Sequence, residues 1–299
     1  MDRTPSEQPG APAAVGIDAG SVSVNCVALD AAGTLVHEEP YRRHFGRTVQ
    51  AVREALAAVR ARFGTACLPS VTFTGAHGQE IAARLGAPWE PETVAQIVGA
   101  AHVAPGVRTI LAIGGQDAAL FALAWDGPRW RLEHFAMNGP CASGTGSFID
   151  QQAERLAATL IAPAAQADQG RLEAVLAAFI REGLSSERPA PVACRCTVFT
   201  KSDMIHLQNK GEPLANIVAG LHEGSAANFI STIVGPRSLQ PPLVFIGGVA
   251  SNPLQVRAFQ RHYPELTVPP HHASLGALGA ALLSLRAGRA VAVDAAGLE

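Results

Sequence analysis

Residues 15–30 read VGIDAGSVSVNCVALD, and this stretch decides the fold class. Apolar runs flank a turn that contains glycine, and a second turn follows close behind, which is the pattern of consecutive β-strands. The predicted strands are Val15–Asp18, Val22–Leu29 and Leu35–Arg42, with turns at Gly20–Ser21 and Asp30–Gly33. Such a meander starts an antiparallel sheet rather than a strand–helix–strand unit.

Beyond the meander, the pattern of the first half changes to helices. Val52, Leu56, Val59 and Phe63 recur at helical spacing and predict an amphipathic helix over Val49–Phe63. The other predicted elements are a strand at Val71–Thr74 and helices at Gln79–Leu85 and Glu92–Ala101. This mixture is typical of an α/β protein.

The second half repeats the order of the first. Three strands are predicted at Arg108–Ile113, Ala118–Ala124 and Trp130–Ala136, and the first ends in IGGQD, where the first half has IDAGS. The segment NGPCASGTG then leads into a long helix, Ser147–Leu160. Because element order and motif position agree, we expect two α/β domains of duplicated architecture.

The last third of the chain is predicted to be mostly helical. Alanine- and proline-rich linkers within residues 161–192 surround one helix, and CRCTVF opens another. The predicted helices are Leu172–Glu182, one from about Lys201, Leu214–Ile233, one through Gln260 and Leu275–Arg286, with a buried strand at Leu243–Ile246 that ends in GGVASN.

The composition excludes several classes of protein. Of 299 residues, 48% are hydrophobic and 16% are charged, which argues for a sizeable core and against disorder. The net charge of −2 supplies no basic field for a nucleic-acid backbone, so we expect no nucleic-acid partner.

Neither a membrane span nor a signal peptide is evident in the sequence. Apolar stretches are interrupted before about 18 residues, and the N-terminal residues MDRTPSEQPGAPAA have no apolar core. We therefore expect a cytoplasmic protein with no membrane partner.

Five cysteines, an odd number, favour thiols or metal ligation over a disulfide framework.

Glycine-rich turns mark a candidate polyphosphate site. They are Gly20–Ser21, Gly114–Gly115, Gly247–Gly248 and Gly139–Gly146. Glycine lets backbone N–H groups approach an anion, and a helix that starts at the turn adds a favourable dipole. Asp18 and Asp117 accompany two of these turns and could hold Mg²⁺ and orient a water, although each could also be a simple turn cap.

Common alternatives for such a site do not match. The chain has no GxxxxGK[ST] motif and no GxGxxG fingerprint, which argues against a P-loop NTPase and a dinucleotide-binding domain. Ser147 and Ser202 have no convincing pair of histidine and aspartate companions, so a hydrolase triad is not expected.

Two cysteines stand at predicted helix starts. Cys141 precedes a glycine-rich helix start and Cys196 precedes TVF, positions where a thiolate or an anionic metal–sulfur cluster is stabilised. A [4Fe–4S] cluster usually needs four thiolates, which a symmetric dimer would supply on its two-fold axis. A zinc site that adds Cys194 and His206 is an alternative with poor spacing, and Cys26 is expected to be a buried core residue.

Several motifs resemble a known superfamily and one of its families. IDAGS, IGGQD and FIGGVASN, in this order, resemble the phosphate-1, phosphate-2 and adenosine motifs of the acetate-and-sugar-kinase/Hsp70/actin superfamily. NGPCASGTGSF and CTVFTKSDMI resemble the cysteine motifs of ATP-dependent activators of 2-hydroxyacyl-CoA dehydratases and of the ATPase subunits of benzoyl-CoA reductases. The similarity runs from about Val15 to Leu283.

This resemblance implies duplicated ribonuclease H-like, actin-like ATPase domains with the nucleotide cleft between them. The implied organisation is a tail at 1–13, a first subdomain at 14–107, a second at 108–272 with the cluster cysteines, and a C-terminal helix, 273–299, that packs back on the first.

The resemblance also implies ATP, Mg²⁺ and one [4Fe–4S] cluster shared between two subunits. Asp18 and Asp117 become the catalytic acids, and Cys141 and Cys196 become the cluster ligands. The implied nucleotide-binding residues are Gly20, Ser21, Gly114, Gly115, Gln116, Gly144, Thr145, Gly146, Gly247, Gly248 and Asn252.

The partners implied are a second copy or a pseudo-symmetric heterodimer partner, an iron–sulfur acyl-CoA dehydratase or aryl-CoA reductase, and a ferredoxin or flavodoxin donor.

Four features depart from the family: Asn25 replaces a lysine, Lys201 replaces an acid, Cys194 is extra, and residues 161–192 are long. A sugar or carboxylate kinase and a non-enzymatic ATP-binding regulator are the alternatives; neither needs the cysteine pair.

Overall fold

A computed structural model describes residues 12–64, 70–139, 144–160 and 169–288. The chain divides into two compact units. Unit 1 comprises the described residues up to His102 and those from Ser274 onward, and unit 2 comprises Val103–Ala273. In the described part, no helix is both long and apolar enough to cross a membrane.

The elements follow one another in a mixed α/β order. The strands are β1 Ala14–Ala19, β2 Ser23–Leu29, β3 Leu35–Glu38, β4 Arg42–Arg43, β5 Val71–Thr74, β6 Thr109–Ile113, β7 Ala118–Asp126, β8 Arg129–Met137 and β9 Leu243–Ile246. The helices are α1 Thr48–Phe63, α2 Gly78–Leu85, α3 Glu92–Val103, α4 Gly146–Leu160, α5 Gln169–Leu184, α6 Thr197–Asn209, α7 Leu214–Phe229, α8 Pro253–Gln260 and α9 Leu275–Arg286.

The two units share one sheet topology. In unit 1 the order is β3-β2-β1-β5, with β4 pairing with β2; in unit 2 it is β8-β7-β6-β9. Each sheet is an antiparallel meander to which a later strand adds in parallel, β5 beside β1 and β9 beside β6. The duplicated α/β architecture predicted from the sequence is therefore confirmed.

Close backbone packing joins α9 to the sheet of unit 1. A Cβ on Gly16 of β1 would collide with the carbonyl of Ala277, and a Cβ on Gly279 would collide with the carbonyl of Ala95 in α3. Glycine at these points lets α9 lie directly on β1 and α3. One end of β1, where Asp18 stands, is fixed in this way.

The core of unit 2 lies between its sheet and its helices. Buried residues of β6, β7 and β9 pack with those of α4, α5, α7 and α8, including Phe148, Phe179, Phe229 and Phe259. At about 25 cal/mol per Å² of buried apolar surface, each of these large side chains contributes favourably to the stability of the unit. The rigid core holds the glycine-rich turns at the ends of β6 and β9.

Three sequence predictions differ in detail from the structure. The predicted strand Leu35–Arg42 is split into β3 and β4, with Pro40, which cannot donate to a strand ladder, in the gap. The helix predicted from about Lys201 begins at Thr197, directly after Cys196. The predicted helix Leu214–Ile233 has the right extent, but residues Ile230–Val234 form a π-helix.

Candidate functional site

Asp18 stands near the end of β1, at the centre of the sheet of unit 1. Its backbone pairs with Asn25 of β2 on one side and with Thr74 of β5 on the other. The side chain is 9% exposed, and its Oδ1 is buried without a hydrogen-bond partner. Burial raises the pKa of Asp18 to about 6.

Glycines surround the Asp18 carboxyl group. A Cβ added to Gly75, whose φ is +88°, or to Gly276 would run into the carboxylate oxygens. A Cβ on Gly20 would lie 3.8 Å from Oδ1. Glycine at these positions thus lets the backbone lie directly against a buried carboxyl group whose Oδ1 has no hydrogen-bond partner. Carboxylate oxygens are ligands that Mg²⁺ prefers, so this group fits a magnesium site.

The Gly20–Ser21 turn links β1 to β2 and is held by several backbone hydrogen bonds. Gly20 N–H donates to the Ser23 carbonyl at 3.0 Å, and His77 N–H donates to the Ala19 carbonyl at 2.9 Å. His44, which the sequence did not single out, places its Nε2 3.1 Å from the Gly20 carbonyl.

In unit 2, the turn between β6 and β7 receives the first residues of α4. Gly146 N–H donates to the Gly114 carbonyl at 2.9 Å, and Ser147 N–H donates to the Gly115 carbonyl at 2.8 Å. The structure therefore brings together two motifs that lie about thirty residues apart in sequence. Asp117 is exposed on the same turn.

Gly247 brings the third glycine motif of unit 2 to the same place. Its φ is +92°, and a Cβ there would collide with the carbonyl of Ile113 at the end of β6. A Cβ on Gly146 would lie 3.1 Å from both the Gly114 carbonyl oxygen and a methyl of Val249. Only glycine permits three backbone segments to approach this closely. Gly248 follows in a short 3₁₀ turn, Gly248–Ser251.

Asn138 contacts the turn between β6 and β7, although it was not among the residues predicted for the site. Its Oδ1 accepts from Ala118 N–H at 2.7 Å, and its Nδ2 donates to the Gln116 carbonyl at 3.1 Å. The side chain therefore fixes the turn that carries Gln116 and Asp117. The signal was present in the sequence, because Asn138 opens the NGPCASGTG segment.

Asn252 serves as a helix cap in this structure. Its Oδ1 accepts from Leu254 N–H at 3.0 Å at the start of α8, and its Nδ2 donates to His222 Nε2 at 2.9 Å. His222 in turn places its Nδ1 2.8 Å from the Val218 carbonyl, and burial lowers the pKa of His222 to about 4. The network joins the end of the Gly247–Gly248 loop to α7.

The cysteines occupy different environments. Cys196 is half-buried at the N-cap of α6, and its side chain makes no capping hydrogen bond. Cys194 is 3% exposed, and its thiol lies 3.5 Å from the Leu221 carbonyl oxygen. Burial raises the pKa of the Cys194 thiol to about 12, and the nearby Asp203 carboxylate makes a smaller contribution in the same direction. Cys141 lies outside the described residues. The prediction that Cys26 is a buried core residue is confirmed.

The other predicted site residues are placed as follows. Gly144 has a φ of +91° and lies beside Ser225 and Asn228 of α7, and Thr145 is buried. Among the described residues, no three histidine, cysteine or acidic side chains are grouped as a metal site. Asp18, Gly20 and Ser21 belong to unit 1, and the remaining described candidates belong to unit 2.

Comparison with known proteins identifies a family and several relatives to which the chain is similar. The profile of a family described as the BadF/BadG/BcrA/BcrD ATPase family matches residues 15–284. The chain is 26% identical over 273 residues to the (R)-2-hydroxyglutaryl-CoA dehydratase activating ATPase of Acidaminococcus fermentans, an alignment that covers 91% of this chain and 96% of that protein.

Further similarity is found to a protein of Clostridioides difficile, a 2-hydroxyisocaproyl-CoA dehydratase activator. The sequences are 35% identical over 185 residues, 62% of each chain, so the aligned part is less than two thirds of that relative's length. A solved structure of the Clostridium difficile activator with bound ADPNP superposes with a TM-score of 0.76 at 29% identity and covers 92% of this chain and 94% of that chain. The fold is that of the actin-like ATPases.

Proposed function

Because the chain belongs to the BadF/BadG/BcrA/BcrD ATPase family, we propose that it is an ATP-hydrolysing iron–sulfur protein that drives low-potential electron transfer to a partner enzyme. The relatives' names support the ATPase part and an activating role toward acyl-CoA dehydratases. The observation that supports the electron-transfer part of the proposal is the position of Cys196, whose half-buried thiol lies at a helix N-terminus.

Asp18 and Asp117 are the proposed catalytic acids. A carboxylate whose Oδ1 is buried and unpartnered in a glycine cradle fits a ligand to hydrated Mg²⁺ and a group that orients a water. Bound Mg²⁺ would supply charge neutralisation at the phosphates. The backbone N–H of Ser21 would donate to a phosphate oxygen, and the N-terminus of α4 would add the favourable dipole of its helix.

The glycine motifs of unit 2 complete the proposed nucleotide site. Gly114, Gly115 and Gln116 would contact phosphate together with Gly144, Thr145 and Gly146. Gly247 and Gly248 would contact the adenosine. Asn252 would hold their loop in place, because its side-chain oxygen and nitrogen both form hydrogen bonds within the protein.

Cys141 and Cys196 are the proposed cluster ligands, two from each of two subunits. A cluster when bound would supply a one-electron centre, and the half-buried Cys196 suits that role because its side chain makes no capping hydrogen bond. Exposed apolar residues of α6 flank it, with Val198 and Phe199 each 68% exposed and Ile205 47% exposed. Such a surface supports association with a second copy.

The partner proposed is an iron–sulfur acyl-CoA dehydratase or aryl-CoA reductase, with a ferredoxin or flavodoxin as the electron donor. The names of the relatives support the dehydratase or reductase component. Reduced thiols and a reducible cluster fit the reducing conditions of the cytoplasm, which is where we place the protein.

The test is to purify the full-length protein anaerobically and to measure iron, sulfide, absorbance and ATP hydrolysis together. We expect about four iron atoms per dimer, a broad absorbance near about 400 nm that dithionite bleaches, and ATP hydrolysis. A colourless, iron-free protein that phosphorylates a sugar or a carboxylate would refute the proposal in favour of a kinase.

A further inference from the structure

His44 is a buried side chain that contacts the Gly20–Ser21 turn. It is 6% exposed and lies between the end of β4 and the start of α1. Its Nε2 is 3.1 Å from the Gly20 carbonyl oxygen, and its Nδ1 is 3.1 Å from the backbone nitrogen of Gly46. The hydroxyl of Thr48 lies 3.2 Å from the same Nδ1.

These partners fix the tautomer of His44. A carbonyl oxygen can only accept, so Nε2 carries the proton and donates to Gly20. A backbone N–H can only donate, so Nδ1 is unprotonated and accepts from Gly46. Burial, the largest effect, lowers the pKa of His44 and favours this neutral form.

The bond to Gly20 also determines where the next backbone N–H points. In a planar trans peptide, the carbonyl of one residue and the N–H of the next point in opposite directions. His44 holds the Gly20 carbonyl, so the N–H of Ser21 faces away from the imidazole. Within the described residues, no backbone carbonyl accepts from that N–H.

We infer that His44 is a positioning residue that aims the Ser21 N–H at a phosphate oxygen of the nucleotide. The inference rests on the proposed function, because it assumes that this turn binds phosphate. It accounts for the buried imidazole next to the turn, which no part of the proposed hydrolysis reaction requires.

Backbone hydrogen bonds hold the residues on both sides of the turn, whereas the His44 side chain contacts Gly20 within it. His44 N–H donates to the Val22 carbonyl at 3.0 Å, and His77 N–H donates to the Ala19 carbonyl at 2.9 Å. Both of these bonds use backbone atoms and survive substitution of the side chain. Replacing the imidazole therefore releases the Gly20–Ser21 peptide without removing the neighbouring anchors.

Two substitutions separate the two bonds of the imidazole. Gln can place its amide N–H near the position of Nε2, so His44→Gln keeps a donor for Gly20. Asn is shorter and places its oxygen near the position of Nδ1, so His44→Asn keeps an acceptor for Gly46 and loses the donor for Gly20. Thr48→Val is the control, since it removes a contact to Nδ1 only.

The experiment measures the dissociation constant for ATP and the hydrogen exchange of residues 19–24 in the nucleotide-free, full-length protein. We expect His44→Asn to bind ATP about tenfold more weakly and to exchange faster at this turn, since a hydrogen bond to a charged group has about that value. His44→Gln and Thr48→Val should stay within about threefold of the wild type.

The outcomes distinguish this inference from the proposed function. A wild-type protein that binds no ATP refutes the proposed function, whereas unchanged exchange in His44→Asn refutes the positioning role by itself. Equal ATP affinity in all three variants, or an equal loss in His44→Asn and His44→Gln at unchanged melting temperature, also overturns the inference.

Discussion

At the scale of single residues, Asp18 combines a cost in stability with a proposed role in catalysis. Its carboxyl group is buried, its Oδ1 has no partner, and burial raises its pKa to about 6. Above that pH the folded protein holds a buried charge that the unfolded chain exposes to water. The nucleotide-free protein is therefore less stable at neutral pH than it would be with a neutral side chain.

We predict that Asp18→Asn lowers ATP hydrolysis at least about tenfold and raises the free energy of unfolding by about 1–3 kcal/mol at pH 7–8. The stability gain should vanish as the pH falls from about 6 to about 4, because the wild-type carboxyl then binds its proton in the folded state first. Steady-state hydrolysis and urea unfolding check the two halves.

Asp117→Asn is the matched control. Asp117 is exposed, so this substitution should lower hydrolysis without a gain in stability. Wild-type hydrolysis in either variant would remove that acid from the site.

Cys194 and Cys196 differ by two positions and by environment. We predict that Cys196→Ser loses the cluster iron while Cys194→Ser keeps it, because Cys194 is buried against α7 with a pKa raised to about 12. Cys141→Ser should behave like Cys196→Ser. Iron counting on the anaerobically purified variants is the measurement, and loss of iron in Cys194→Ser with retention in Cys196→Ser would show that the ligand is the earlier cysteine.

The sequence identifies residues whose chemistry is visible in a local pattern. The glycines beside Asp18 and Asp117 were found in this way, since each follows a strand. His44 and Gly276 were not found, because their proximity to Gly20 and Asp18 depends on folding of distant segments. Isolated histidines and glycines carry no pattern that names their partner.

At the scale of elements, a hydrogen bond between two buried side chains joins α7 to α8. His222 accepts at Nε2 from Asn252, which caps α8, and its pKa is lowered to about 4 by burial. The unfolded chain binds a proton at this histidine below its ordinary pKa of about 6.5, while the folded protein does not. Stability from this group is complete above about pH 6.5 and is lost as the pH falls toward 4.

We predict that the stability advantage of the wild type over His222→Gln shrinks by about 3 kcal/mol between pH 7 and pH 4. Urea unfolding of both proteins across this range measures the difference. A difference that stays constant with pH would contradict the burial of a neutral His222.

Three elements were predictable to the residue because each is a run of apolar or small residues bounded by turn residues. The strands Val71–Thr74 and Leu243–Ile246 and the helix Leu275–Arg286 agree with the structure to the residue. The start of α6 was missed by four residues, since Thr197, Val198 and Phe199 are β-formers and two of them are exposed. The π-helix after α7 has no signature in the sequence.

At the scale of the whole molecule, the repeat of motifs predicted the duplication but not all of the strand pairing. IDAGS and IGGQD mark the two meanders, and the structure gives each meander the same antiparallel pairing. The parallel additions of β5 to β1 and β9 to β6 join segments far apart in the chain, which local patterns do not encode. The packing of α9 on β1 is likewise not encoded in a local pattern, and the expectation that the C-terminal helix packs on the first subdomain came from the resemblance to a known family.

One segment of unit 2 connects the proposed nucleotide and cluster sites. Cys141 precedes Gly144 by three residues in sequence, and Gly146 N–H donates to the Gly114 carbonyl in the turn between β6 and β7. Nucleotide exchange that shifts this segment would also move the thiolate that precedes it. Burial and hydrogen bonding at sulfur set the exposure and potential of a cluster.

The central claim is that ATP controls an iron–sulfur cluster, and the rate at which bathophenanthroline removes the cluster iron tests it most directly. The rate is measured anaerobically on the full-length protein without nucleotide, with ADP and with ATP, after nucleotide binding has been verified. We predict that the ATP state differs from the other two by several-fold, because Cys141 precedes the proposed phosphate-contacting residues by only a few positions in sequence. Identical rates in all three states, with nucleotide bound, would contradict the account and leave an ATP-binding protein whose cluster does not respond to ATP.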